Sequence, residues 1–243
     1  MKSLHTLNVI YWKEVQEIAN SPILYAFLSI GAFVVGALFF LGLTIEPAPN
    51  LRLLTINLSL VLSLLIPAIG MRMIAEEAKQ GTLEMLLTMP IQVRDLVIGK
   101  FLASFTISSA LLVYSLGCAF VLEWLGTPDW GAIFAALCGQ GLCLSLGVSV
   151  VLFASSLTKE PTAAALLGSV FLLGFWCVDA IIDGLGTSVD VMWLVNMKKL
   201  SLMAHLSPFS KGIVDVRDIF WFLFLTGLFL WWTTMVLEQK RCQ

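Results

Sequence analysis

Residues 71–100 read MRMIAEEAKQGTLEMLLTMPIQVRDLVIGK, and this stretch holds Arg72, Glu76, Glu77, Lys79, Glu84, Arg94, Asp95 and Lys100. The segments on either side are long, apolar and almost free of charge. A charged interval between two such segments is held in water by chain that belongs elsewhere. Its internal punctuation is helical. Gly81 follows Gln80 as a C-terminal stop, and Thr82 is placed to cap a new helix by accepting a free backbone amide. Glu84 then faces the positive end of that helix. Leu83, Met85, Leu86 and Leu87 give the helix an apolar knob, and Pro90 ends it.

Composition agrees with a chain that lives in lipid. Of 243 residues, 59% are hydrophobic and 12% charged, about half the ~25% charge of soluble domains. Mean hydropathy is +0.94. A net charge of −2 with no basic stripe speaks against nucleic acid as a partner. Cys118, Cys138, Cys143 and Cys177 lie within apolar runs and read as packing residues. His5 and His205 are too far apart to suggest a metal site, so no metal is expected.

Working outward from the charged stretch, 53–71 and 101–122 are long enough to cross a ~30 Å hydrocarbon core at 1.5 Å per residue, as are 23–45, 132–157, 162–182 and 219–237. Residues 1–22 are amphipathic: Leu4, Leu7, Tyr11, Val15 and Ile18 share a face. Two placements fit such a helix, the membrane surface with Trp12 at headgroup depth or the protein's own flank. Ser21-Pro22 stops it and opens the next helix. The longest loop is 183–218, with an amphipathic piece near 193–206. The expectation is an all-α polytopic membrane protein with six spans, an N-terminal interfacial helix and a short helix between spans two and three.

Lys2, Lys13, Arg72, Lys79, Arg94, Lys100, Lys159, Lys240 and Arg241 fall on one side of this topology. Arg52, Lys198, Lys199, Lys211 and Arg217 fall on the other. The excess puts the first side, with both termini and residues 72–100, in the cytoplasm. In the fourth span Gly139, Cys143 and Gly147, with Gly141 and Ser145, form rows of small residues four apart, the spacing at which helices approach closely in lipid. Gln140 among them reads as an interhelical hydrogen bonder. Pro67 predicts a kink at the end of span two, beyond which Met71–Lys79 should continue the helix.

The sequence holds no phosphate-binding Gly-rich loop, no H-E-x-x-H, no G-x-S-x-G and no carboxylate pair inside a span. That disfavours an enzyme and a proton-coupled transporter, whose relays need ionisable groups at mid-membrane. Spacing alone leaves residues 82–89 as either a docking helix for a separate energy-supplying subunit or a hairpin resting on headgroups.

EEAKQGTLEMLLTMP (76–90) followed by LVIGKFLA (96–103) resembles the signature of ABC-2 type permeases. KEVQEIANSPILYAF (13–27) and SPFSKGIVDVRDIFWF (207–222) resemble its gliding-motility-associated branch. The resemblance implies a non-catalytic permease with no cofactor of its own. A dimer of cytoplasmic ABC ATPases would hold the ATP and magnesium, and a second permease copy or paralogue would complete the pore. It also implies the bacterial inner membrane and export. Residues 82–89 then correspond to the coupling helix, and Glu76 and Glu77 to an acidic pair near the ATPase contact. The ATPase-coupling residues expected are Glu76, Glu77, Gly81, Thr82, Leu83, Glu84, Leu86, Leu87 and Pro90. The loop before the last span, with Lys198, Lys199, Asp215, Arg217 and Asp218, would cap the pathway from outside. Its basic pair suits anionic headgroups, an anionic substrate or a periplasmic accessory protein. The rival function is a membrane scaffold of an ATPase-driven envelope or motility complex through which nothing passes.

Overall fold

The computed structural model describes residues 2–45, 52–88, 91–126, 129–184 and 201–241. Every regular element among them is helical: α1 (Lys2–Ala19), α2 (Pro22–Ile45), α3 (Arg52–Gly70), α4 (Ala75–Gln80), α5 (Thr82–Thr88), α6 (Val93–Ser108), α7 (Ala110–Leu125), α8 (Trp130–Leu157), α9 (Pro161–Gly184), α10 (Leu202–Ser210) and α11 (Val216–Arg241). Six stretches are long and apolar enough to cross a membrane: Leu24–Thr44, Leu54–Gln80, Val93–Trp124, Trp130–Leu157, Pro161–Val178 and Val216–Arg241. The third combines α6 and α7, which meet at Ser109 with little change of course.

Helix α8 is the axis of the bundle. Its 28 residues span about 42 Å at 1.5 Å per residue. It packs against α3, α9, α10 and α11. Asp129 caps its start by accepting from the Gly131 amide at 2.9 Å. Two of its glycines are sites of close approach. A Cβ on Gly139 would lie 2.7 Å from the Phe209 Cβ, and one on Gly147 would lie 2.7 Å from Ile66 Cδ1. Ile66, Leu62 and Leu58 of α3, Leu144 and Val151 of α8, and Phe222 and Phe229 of α11 form the main core. The outside of the bundle is apolar instead of charged: Phe33, Phe40, Val113, Leu166, Val170, Phe220 and Phe224 are exposed. So wide an apolar surface requires lipid around it.

Three expectations need correction here. The second span does not run on as one helix to Lys79. Residues 71–74 are turns between α3 and α4, where the Ser155 hydroxyl of α8 takes the Ile74 and Ala75 amides in place of backbone carbonyls. Gln140 is buried, yet neither end of its amide has a hydrogen-bond partner among the described residues. Its neighbours Gly139 and Gly141 admit Phe209 and Leu112, which offer it nothing polar. Finally, the last span starts at Val216, so Asp215, Arg217 and Asp218 belong to a helix start and not to a free loop. Lys198, Lys199 and Pro90 lie outside the described residues.

Candidate functional site

One end of the bundle gathers α1, α4, α5, the start of α6, the α8–α9 turn and the end of α11. Lys79 Nζ meets Glu160 Oε2 at 2.8 Å, Lys240 Nζ donates to the Ser156 carbonyl at 2.7 Å, and Arg241 Nη1 donates to the Ile91 carbonyl at 3.3 Å. These links tie the charged stretch to helices remote in sequence.

The joint between α3 and α4 is made by Ser155 of α8. Its hydroxyl oxygen accepts from the amides of Ile74 at 3.2 Å and Ala75 at 2.9 Å, and the hydroxyl donates to the Met71 carbonyl at 3.2 Å. A serine here does for a mid-chain helix break what a cap does at a helix start. Below the joint, α4 runs for six residues and ends at Gly81, whose φ of 74° is the left-handed value a stop requires.

Thr82 has a second bond besides the cap expected of it. Its hydroxyl donates to the Glu77 carbonyl at 3.2 Å and so also closes α4. In α5 the expected apolar knob divides in two. Leu83 is buried at 4% exposure among Met73, Ile74, Val93, Val97, Leu152 and Leu237. Met85 points the other way at 68% exposure, with Glu84 also exposed and Leu86 half-buried. The Leu87 side chain and Pro90 are outside the described residues. The helix is therefore rooted by one leucine and presents its opposite side outward.

The strongest feature of this end was not anticipated as a unit. Lys100 of α6 is 1% exposed, and its ammonium sits 2.8 Å from Glu14 Oε1 of α1 and 2.8 Å from Glu77 Oε1 of α4. Glu14 is buried too, at 4%. Lys13, half in solvent, stands 3.8 Å from Glu14 and 4.0 Å from Glu77. Glu77 is thus not a solvated helix face; it is one arm of a buried three-helix ion cluster. Glu76, one residue away, faces out and pairs with Arg72 at 3.5 Å. Buried charges survive only when paired, and here one cation serves two carboxylates. The signal available in the sequence was Glu14 on the face of α1 that also carries Ile10 and Tyr11, three or four residues apart. Ile10 packs so closely on Gly99 that a Cβ there would lie 2.7 Å from its Cγ2, and the Tyr11 hydroxyl reaches Thr106 at 3.3 Å. One side of α1 is therefore packed on α6, while Val9 and Trp12 on its other side are exposed.

Between α1, the foot of α3, α4 and α6 lies a cleft of about 130 Å³, walled by the ion cluster and by Ile18, Leu24, Ala68 and Ile69. At the far end of the bundle a second polar contact is buried. His205 Nδ1 of α10 lies 2.6 Å from Asp218 Oδ1 of α11, and its ring stacks on Trp221 with centroids 4.3 Å apart. Asp215 starts α11 by accepting from the Arg217 amide at 3.0 Å. Of the small residues on α8, Gly139 and Gly147 meet Phe209 and Ile66, Cys143 is buried, Ser145 reaches Thr226 at 3.5 Å, and Gly141 has only Leu112 nearby. Among the described residues no group of His, Cys, Asp and Glu is arranged to hold a metal ion.

Residues 8–220 match the family model described as ABC-2 family transporter protein. No curated protein matches the chain.

Proposed function

The chain belongs to the ABC-2 family of transporter proteins, the membrane permeases of ABC transporters, and from that premise we propose that α5 is the element through which a separate cytoplasmic ATPase moves it. The observation that supports this is the two-sided setting of α5. Leu83 fixes it to a cluster containing residues of α6, α8 and α11, while Met85 and Glu84 stand exposed. A push on the outward side reaches the bundle through the inward one. In this reading the end bearing α1, α4 and α5 is cytoplasmic, α1 lies at the membrane surface with Trp12 in the headgroups, and the membrane is the bacterial inner membrane. ATP and magnesium belong to a dimer of partner ATPases. A second copy or a paralogue of this chain pairs with it, and the direction is export. The permease does no chemistry; nucleotide binding in the partner biases its two conformations. The likeness of 13–27 and 207–222 to the gliding-associated branch extends the proposal to that branch.

The test is co-purification with a separately encoded ATPase. Met85→Asp and Glu84→Lys change the charge of the outward side and should release the ATPase while leaving the permease folded. ATPase binding and activity that survive both changes would defeat the proposal.

A further inference from the structure

Ser155 behaves unlike Ser149 and Ser156 of the same helix. Those two donate to carbonyls three residues back, of Leu146 and Phe153, the usual local bond of a helical serine. Ser155 points across to the joint between α3 and α4, and it meets that joint at one particular bond. In a continuous helix the Ala75 amide donates to the Met71 carbonyl, four residues earlier. Here the Ser155 oxygen accepts from that amide at 2.9 Å, and its proton goes to that carbonyl at 3.2 Å. The hydroxyl is inserted into one rung of the helix ladder, and it also takes the Ile74 amide at 3.2 Å. The rungs on either side are intact: Met71 donates to the Pro67 carbonyl and Ala78 to the Ile74 carbonyl, each at 2.9 Å. An inserted side chain is one of the few causes of a sharp break in a helix. The residues of the break do not demand one, since 71–75 contain neither Gly nor Pro. Ile74, Ala75 and Ser155 are fully buried, so solvent takes none of these roles. What brings Ser155 within reach is the approach of α8 one turn earlier, where a Cβ on Gly70 would lie 2.5 Å from Val151 Cγ1.

We propose that the joint at 71–74 is a two-state hinge. With Ser155 inserted, α3 and α4 are separate helices; with Ser155 withdrawn, they close into one helix from Arg52 to Gln80. The exchange of hydrogen bonds is even. The inserted hydroxyl makes three, to the Ile74 and Ala75 amides and the Met71 carbonyl. On closure Ile74 and Ala75 donate to the carbonyls of Gly70 and Met71, and Ser155 returns to a carbonyl of its own helix, as Ser149 and Ser156 do. Neither setting leaves a buried donor or acceptor unmatched, which is the cost that would otherwise forbid one of them. Small movements of α8 against Gly70 are thereby converted into a change of direction of α4. The hinge belongs to the chain alone, so the inference does not rest on α5 meeting an ATPase.

The test uses the full chain in lipid nanodiscs. Hydrogen exchange is followed at 71–78, and spin labels are placed at Leu64→Cys and Gln80→Cys in a background without reactive cysteine. Both positions are exposed, and in one unbroken helix they stand about 24 Å apart along the axis at 1.5 Å per residue. Two variants on different helices should close the hinge. Ser155→Ala removes the inserted group. Gly70→Ala keeps Ser155 but drives α8 off α3, because Val151 is β-branched and cannot swing aside. Both should move the labels to the same separation, that of the straight helix. In both, the Ile74 and Ala75 amides should exchange no faster than in the parent, since the closed ladder holds them. A fixed joint gives the opposite result in Ser155→Ala, two orphaned amides that exchange faster. That result, a label distance that neither variant changes, or two variants at different distances overturns the proposal. No nucleotide or ATPase enters the measurement, so its failure leaves the role of α5 standing.

Discussion

Lys100→Met tests the ion cluster most directly, because methionine matches the apolar stem out to Cε and removes the ammonium. The change leaves Glu14 and Glu77, both previously 2.8 Å from the ammonium, facing each other with only the half-exposed Lys13 at 3.8 and 4.0 Å. Breaking a buried pair by removing one partner costs about 3–5 kcal/mol. Lys13 recovers part of this, so about 3 kcal/mol is expected. For a chain of this size each kcal/mol moves the melting midpoint by ~2–4 °C, which gives a drop of roughly 6–12 °C. The companion variant Glu14→Gln removes one carboxylate and leaves Lys100 paired with Glu77, so its drop should be less than half as large. Thermal unfolding in detergent, followed by tryptophan fluorescence, reads both. Limited proteolysis should also show α1 released first in Lys100→Met, since Glu14 is the buried charge that holds it. A Lys100→Met midpoint within ~2 °C of the parent, or a larger loss for Glu14→Gln, would refute the reasoning.

Gly139→Val drives a side chain into Phe209 and Leu206, and overpacking of this kind costs about 1–3 kcal/mol; proteolysis should then cut nearer α10 than in the parent. Asp218→Asn removes the charge opposite His205 and should loosen α10 from α11. Its melting midpoint should fall by a few degrees at neutral pH, about 1 kcal/mol, with no change in ATPase binding.

The bundle was legible because lipid imposes a rule with few exceptions: each crossing needs about 20 apolar residues in a self-satisfied helix. Helix α3 ends at Gly70 and helix α8 at Leu157. What escaped were features set by partners distant in the chain. The break at 71–74 depends on Ser155, more than eighty residues on, and one serine in an apolar helix carries no sign of which backbone it will meet. Lys100 looked like one charge among eight in a solvated stretch. Its burial follows from α1 crossing at Gly99, and spacing within residues 71–100 contains no trace of that crossing. The apolar run Leu83–Leu87 promised a knob facing one way; α5 is so short that its first leucine is taken by the core while Met85 is left outside.

Helix α4 ties these observations together. In six residues it is fixed at its start to α8 through Ser155 and on one side to α1 and α6 through Glu77 and Lys100. At its end Gly81 and Thr82 join it to α5. An element clamped at three points transmits displacement as a rigid body and stores little of it. A push on α5 would therefore be felt at the axis helix and at α1 together, whereas a plain hairpin would dissipate it in its own turns.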